Sequence, residues 1–251
     1  MQNAVSRAMA VVWILAAIGC TATTEVKRNQ ADALRNVARQ YTSQGDHTTA
    51  LRNLLEAEQI FDKDPELHND LGLTYMEKNE LDKALAHFQK ALDLKPDYAY
   101  ARNNKAIACL RGQRWDEAIT TLEPLLKDLL YDTPHVARSN LGFAYYSKKD
   151  YARAENYYKQ ALDLVPGFVP ALHGLGLTFL EKDQAAQAVA VLEKAVRQAP
   201  RIAVLHYDLA RALERTGNRA QAQAAYTKVL EIENREGPLA AKAAEALDKL
   251  R

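Results

Sequence analysis

Only two cysteines occur among the 251 residues, Cys20 and Cys109. That scarcity excludes a fold built on disulfides. No bridge between the two is expected, because Cys20 lies outside the patterned part of the chain and Cys109 falls on a helix face that reads as buried. Ten glycines and eight prolines are few for this length and exclude collagen-like or low-complexity material. An excess of one charge is missing too. Residues 1–19 hold one of the 33 basic side chains, Arg7, and no acidic one, so the remainder carries 32 basic against 32 acidic groups. A balance of this kind offers no electrostatic footprint for nucleic acid, which is not expected as a partner. Long apolar runs are absent beyond the amino terminus. Also absent are a Gly-rich phosphate loop, a serine elbow and a His-Glu-x-x-His helix, and the six histidines are scattered at 47, 68, 87, 135, 173 and 206. No catalytic residue, metal ligand, cofactor or small-molecule substrate is expected, and the chain does not read as an enzyme.

What the sequence does contain is a repeated pattern. Leu141 to Pro166 reads as one helix, a polar break at Lys149-Asp150 and a second helix that Val165-Pro166 stops, since a proline disfavours the α conformation in the residue before it. Gly142 and Ala154 are small where the two helices approach, and Tyr145 and Tyr158 are large where a gap must be filled. The same pattern returns as Leu71-Gly72, Tyr75, Ala84, Phe88, Ala91 and Pro96, and as Leu175-Gly176, Phe179, Ala188, Leu192, Ala195 and Pro200. Gly142 to Gly176, and Pro166 to Pro200, are each 34 residues. That period resembles the tetratricopeptide repeat.

With Gly142 as repeat position eight, successive units start near Ala31, Pro65, Ala99, His135, Val169 and Ala203. In the first, Val37, Tyr41, Ala50, Leu54 and Ala57 are expected in the core, with a second helix that runs long before Pro65. The third is irregular: Lys105 stands where leucine is expected, Leu125 replaces a small residue, and Pro124 calls for a bend or early stop around residues 122–130. After Gly237, Pro238 opens a last helix with an apolar stripe of Leu239, Ala243, Leu247 and Leu250 that would cap the array. The expected fold is all-α: a right-handed superhelical solenoid of six helix pairs over residues 31–235 and a capping helix over 236–251, its first helices lining a concave surface.

Residues 1–19 have a charged start and an apolar run from Ala8 to Ile18, too short to span a bilayer as a helix, and read as a signal peptide. Leu15-Ala-Ala-Ile-Gly-Cys20 resembles the lipobox of bacterial lipoproteins, with Ala17 in place of the usual leucine. The resemblance implies that Cys20 is lipidated and becomes the first mature residue. Thr21, not an aspartate, follows, which implies sorting to the outer membrane. Residues 20–30 are expected to act as a flexible tether.

In tetratricopeptide domains several first-helix positions face the groove. Asn69, Asn103, Asn104 and Asn140 stand at or beside one of them, and an amide suits the backbone of an extended peptide. They serve almost as well as solvated polar residues of a helix face. Leu73 and Met76, Ile107 and Leu110, Phe143 and Tyr146, and Leu177 and Leu180 occupy two further positions through the middle repeats. They form either an exposed stripe for a protein partner or a set of side chains buried between neighbouring helices. Arg35 and Arg39 begin a basic clamp for an acidic peptide terminus, but Tyr100 and Asn104 leave it incomplete.

A lipobox followed by six such units and a terminal helix resembles the type IV pilus biogenesis lipoproteins that act as pilotins. The resemblance implies a non-enzymatic scaffold, lipid-anchored on the periplasmic face of the outer membrane, that promotes localisation and assembly of the secretin through its groove. A periplasmic adaptor for peptidoglycan enzymes or other envelope complexes is the alternative, and a groove with chaperone or weak enzyme activity is the third.

Overall fold

A computed structural model describes residues 2–233 and 237–250, with side chains from Thr23 onward. Among these residues there is no strand; thirteen α-helices and one 3-10 turn follow in order. One compact unit, up to Gly112, contains α1 (Gln2–Ser43), α2 (His47–Ile60), α3 (Pro65–Glu77), α4 (Leu81–Leu94) and α5 (Ala99–Arg111). The other, from Gln113, contains α6 (Trp115–Leu122), α7 (Pro134–Ser147), α8 (Tyr151–Leu164), α9 (Val169–Glu181), α10 (Ala185–Gln198), α11 (Ala203–Arg215), α12 (Arg219–Ile232) and α13 (Pro238–Lys249). The boundary falls inside the third repeat, the one whose sequence departs furthest from the pattern.

Within each unit consecutive helices pack in pairs: α1 with α2 and α3 with α4 in the first, α7 with α8, α9 with α10 and α11 with α12 in the second. Fixed small and large residues build the pairs. Ala50, Ala84, Ala118, Ala154, Ala188 and Ala222 open the six second helices and have no exposed surface. Four residues later Leu54, Phe88, Leu122, Tyr158, Leu192 and Tyr226 fill the space between helices, all buried. A glycine opposite makes room for three of them. A Cβ on Gly72 would come within 2.5 Å of the Phe88 ring, on Gly142 within 2.7 Å of the Tyr158 ring, and on Gly176 within 2.5 Å of the Leu192 side chain.

The turn inside each pair has one geometry. The amide three residues past the helix end donates back to a carbonyl of its last turn: Asp46 N to Tyr41 O, Glu80 N to Tyr75 O and Asp150 N to Tyr145 O at 2.9 Å each, and Gln184 N to Phe179 O at 2.8 Å. This Schellman arrangement needs a left-handed residue. Gly45 and Gly217 supply it at no steric cost, but Asn79, Gln113, Lys149 and Asp183 adopt φ near 60° with a side chain in place. Lys149→Gly removes that strain of about 1–2 kcal/mol at the expense of a more flexible unfolded chain. The variant is expected to be more stable by up to about 1 kcal/mol in denaturant unfolding, and an unchanged or lower midpoint would contradict it.

Several expectations need correction. Residues 23–30, expected as a tether, are helical and continuous with the first repeat in α1. Val37 is exposed, at 40%, while Ala38, one position on, takes the buried place against α2. α2 does not run long: it has 14 residues, like α4 and α8, and ends at Ile60. In the last helix Ala240 and Ala243 are the fully buried residues, and Leu239, Leu247 and Leu250 are half-buried. α13 nonetheless packs on α11 and α12, and the Leu250 carbonyl accepts from Arg219 Nε and Gln223 Nε2 at 2.6 Å each. Pro124 does stop its helix: α6 ends at Leu122, and Glu123–Leu126 forms a 3-10 turn. The expected signal peptide and Cys20 lie outside the residues described with side chains. Among the described residues no helix is long and apolar enough to cross a membrane.

Candidate docking surfaces

The two expected groove positions behave differently. Of the inner one, Met76, Leu110 and Leu180 are buried, at 5%, 6% and 1% exposure, and only Tyr146 stays half-buried. These three are core residues, not groove contacts. For Met76 and Leu180 the cause is that the first helices of neighbouring repeats touch one another, α3 with α5 and α9 with α11. An arginine of the following repeat also reaches back over this position. Arg111 Nη1 donates to the Met76 carbonyl at 3.3 Å, and Arg215 Nη1 donates to that of Leu180. A cation there also complements the negative end of the helix dipole. The outer position remains accessible: Leu73, Ile107 and Leu177 are half-buried, and Phe143 is exposed at 44%.

The asparagines are mostly engaged. Asn69 and Asn103 are buried, and Asn104 Nδ2 donates to Asn69 Oδ1 at 2.9 Å, which ties α5 to α3. Asn140 is half-buried and lines a cavity in the second unit.

In the first unit a cavity of about 170 Å³ lies between α1 and α3, bounded by Arg39, Thr42, Asp70 and Leu73. Its charges are internally paired. Arg39 Nε meets Asp70 Oδ2 at 2.8 Å, and Arg35 bridges to Asp64 and, at 3.2 Å, to Glu66. The two arginines are therefore held by the next helix and do not present a clamp for a carboxylate. Burial, against the pull of Arg39, raises the Asp70 carboxyl above its ordinary value. Burial first, then the carboxylates of Glu66 and Asp70, push the Tyr98 hydroxyl up to about 12.

The second unit has a more open and more aromatic cavity of about 290 Å³ between α7 and α9. Tyr158 of α8 lines it. The ring passes between Gly142 and Gly174, and a Cβ on Gly174 would stand 2.2 Å from its Cζ and 2.5 Å from its hydroxyl oxygen. Where other repeats carry asparagine or aspartate, Gly174 thus lets a phenol reach the cavity. Burial pushes that phenol well above its usual pKa, so it is a neutral hydroxyl at physiological pH. Phe143 and Tyr146 edge the cavity; Phe143 meets Trp115 edge-on at 6.0 Å, and Tyr146 lies 5.7 Å from Tyr151. His173 on the far wall holds Asp208 Oδ2 at 2.8 Å, while Arg211 Nη1 holds the other oxygen at 2.8 Å. The result is a largely apolar cavity with the Tyr158 hydroxyl and the Asn140 amide among its lining groups.

Phe143, Tyr146, Leu177 and Asn140, expected at the groove, line this cavity, and so do His173 and Gly174, for which no role was expected. The available signal was the pairing of Gly174 with Tyr158, where neighbouring repeats pair Asn104 with Phe88 and Asp208 with Leu192.

Comparison with known proteins agrees with this architecture. The tetratricopeptide repeat family matches residues 65–98, 145–204 and 203–236. A BBSome complex member, BBS4 of Bos taurus, is 27% identical over 194 residues, which is 75% of this chain and 36% of that protein. The protein O-mannosyl-transferase Tmtc3 of Drosophila melanogaster is 30% identical over 142 residues, 55% of this chain and 15% of the relative. The chain therefore spans about a third or less of the length of these curated relatives. Among solved structures, PilW, a widely conserved type IV pilus biogenesis factor, superposes with a TM-score of 0.78 at 23% identity, over 85% of this chain and 98% of PilW. Pseudomonas aeruginosa PilF gives 0.74 at 18% identity, over 88% and 99%. At these identities the likeness is one of fold. Because the family matches fall on the packed pairs α3/α4, α9/α10 and α11/α12 of an all-helical array, the chain belongs to the tetratricopeptide repeat proteins, a fold of protein–protein interaction scaffolds.

Proposed function

We infer that the protein is a lipid-anchored scaffold of the pilotin kind, which brings a secretin subunit to the outer membrane and promotes its assembly. The observation that supports this reading best is the extent of the superposition: it takes in 98% of the PilW chain and 99% of the PilF chain, with 85% and 88% of this one. The lipobox-like run ending in Cys20 fits the same reading, because a scaffold held by acyl chains stays at the membrane without a spanning helix. The aromatic cavity between α7 and α9 is the docking site on this reading, with Phe143, Tyr146 and Leu177 meeting the partner's apolar side chains and Asn140 its backbone. Leu73 and Ile107 of the first unit offer a second contact.

The expected result of deleting the gene is loss of secretin multimers from the outer membrane. A Cys20→Ala protein should be found in soluble or inner-membrane fractions and restore few of them. Mild crosslinking followed by copurification separates the competing partners. Recovery of peptidoglycan hydrolases in place of secretin would favour the adaptor reading, and unfolded outer-membrane proteins a chaperone. Normal multimers in the deletion strain would overturn the proposal.

A further inference from the structure

Away from both cavities, three helices of the first unit bring together two histidines and a glutamate. His68 of α3 is fully buried, and its Nε2 lies 2.8 Å from the Asp62 carbonyl oxygen. A carbonyl only accepts, so Nε2 carries the proton and the neutral ring keeps its lone pair on Nδ1. That Nδ1 lies 3.1 Å from Nδ1 of His87 on α4 and 3.8 Å from Oε1 of Glu58 on α2. All three atoms fall within 4.8 Å of one another. The two imidazoles are 5.4 Å apart between centroids, and His87 is backed by Tyr75 at 5.3 Å.

This geometry resembles a set of ligands around one ion. Two nitrogens bound to zinc at about 2.0–2.1 Å in tetrahedral geometry are roughly 3.3 Å apart, close to the separation found here. A carboxylate is a common third ligand, and a backbone carbonyl on the far ring nitrogen is the usual partner that orients a metal-binding histidine. Burial is the largest influence on each ring and lowers both histidines below their ordinary pKa. One charge opposes the ion: Lys90 Nζ lies 3.4 Å from Glu58 Oε1 and 3.8 Å from Asp62 Oδ2. Its side chain is 42% exposed and free to swing outward. In the metal-free chain His87 Nδ1–H donates to His68 Nδ1; binding moves that proton to Nε2 of His87.

We propose that Glu58, His68 and His87 bind one divalent transition-metal ion, zinc by the chemistry of the set, and that the ion fastens α2, α3 and α4 to one another. Glu58, with 24% of its side chain exposed, gives the ion its route in, and water completes the tetrahedron.

The test uses the untagged full chain, stripped with a chelator and titrated with zinc chloride against a chromophoric competitor. Zinc is expected to raise the thermal midpoint and magnesium to leave it unchanged, because magnesium prefers oxygen ligands in an octahedron. Cobalt(II) should give the visible absorption of a tetrahedral site. His87→Gln and Glu58→Gln should each weaken zinc binding by at least about 10-fold, whereas Lys90→Met should tighten it, a change that a purely structural cluster would not produce. His68 is left intact because it is a core residue. A wild-type midpoint indifferent to zinc, or His87→Gln binding zinc as the wild type does, would overturn the proposal.

Discussion

Tyr158→Ala is expected to lower the stability of the protein by about 3–5 kcal/mol, the cost of removing a buried aromatic side chain. The ring is 2% exposed and fills the space left by two glycines, Gly142 in its own helix pair and Gly174 in the next. Its loss opens a cavity that no neighbouring side chain can close without moving α7 or α9. Tyr158→Phe removes only the hydroxyl that borders the cavity and should stay within about 1 kcal/mol. The complementary change, Gly174→Ala, places a methyl group within 2.2 Å of the same ring and should cost about 1–3 kcal/mol through overpacking. Combining Gly174→Ala with Tyr158→Leu should recover part of that loss, since the smaller side chain makes room. Denaturant unfolding of the two singles and the double measures the coupling, and strictly additive costs would show that Tyr158 and Gly174 do not share one space.

The second large effect concerns binding. Phe143→Asp together with Tyr146→Asp is expected to abolish capture of the partner while costing less than about 2 kcal/mol in stability, because Phe143 is exposed and Tyr146 half-buried. Tyr145→Ala should do the reverse. Tyr145 is 5% exposed, stacks on Tyr157 at 5.4 Å and lies beneath Arg153, so its removal should cost about 3–5 kcal/mol. Circular dichroism melts and pull-down of the crosslinked partner read the two outcomes independently. Equal loss of stability in the Tyr145 and Tyr146 variants would refute the division between core and docking surface, and full capture by the double aspartate variant would move the partner off the α7/α9 cavity. Leu110 and Leu180 are poor choices for such a test, since aspartate at either buried position would disrupt the fold itself.

The repeat fold was legible because its determinants are local and periodic. A glycine facing a large residue 16 positions later, as in Gly142 and Tyr158, recurs with the repeat and declares both helices of the pair. Pro124 ended its helix as its missing amide requires. What was not legible depends on partners from other repeats. The inner groove position reads as a spare apolar stripe because nothing local buries Met76 or Leu180; the cover comes from Arg111 and Arg215, 35 residues onward. Asn69 and Asn104 looked available for a peptide and are bonded to each other across the same distance. His68 and His87 are 19 residues apart on different helices, and their meeting with Glu58 has no i, i+4 signature for a sequence reading to detect.

The left-handed residues of the turns stand at 45, 79 and 113, and again at 149, 183 and 217. Each series keeps step at 34 residues, and the single longer stride, from 113 to 149, contains the 3-10 turn and the irregular chain between Leu126 and Pro134. There Leu129 and Leu130 are almost wholly exposed, at 98% and 93%. Elsewhere an added or lost residue would shift a whole column of alanines out of register and unseat every pair beyond it. In this stretch the extra length is absorbed before α7 begins. For a lineage of such proteins this is the place where chain length can drift, where a tag or reporter can be inserted with least disturbance, and where a protease would be expected to find its first cut.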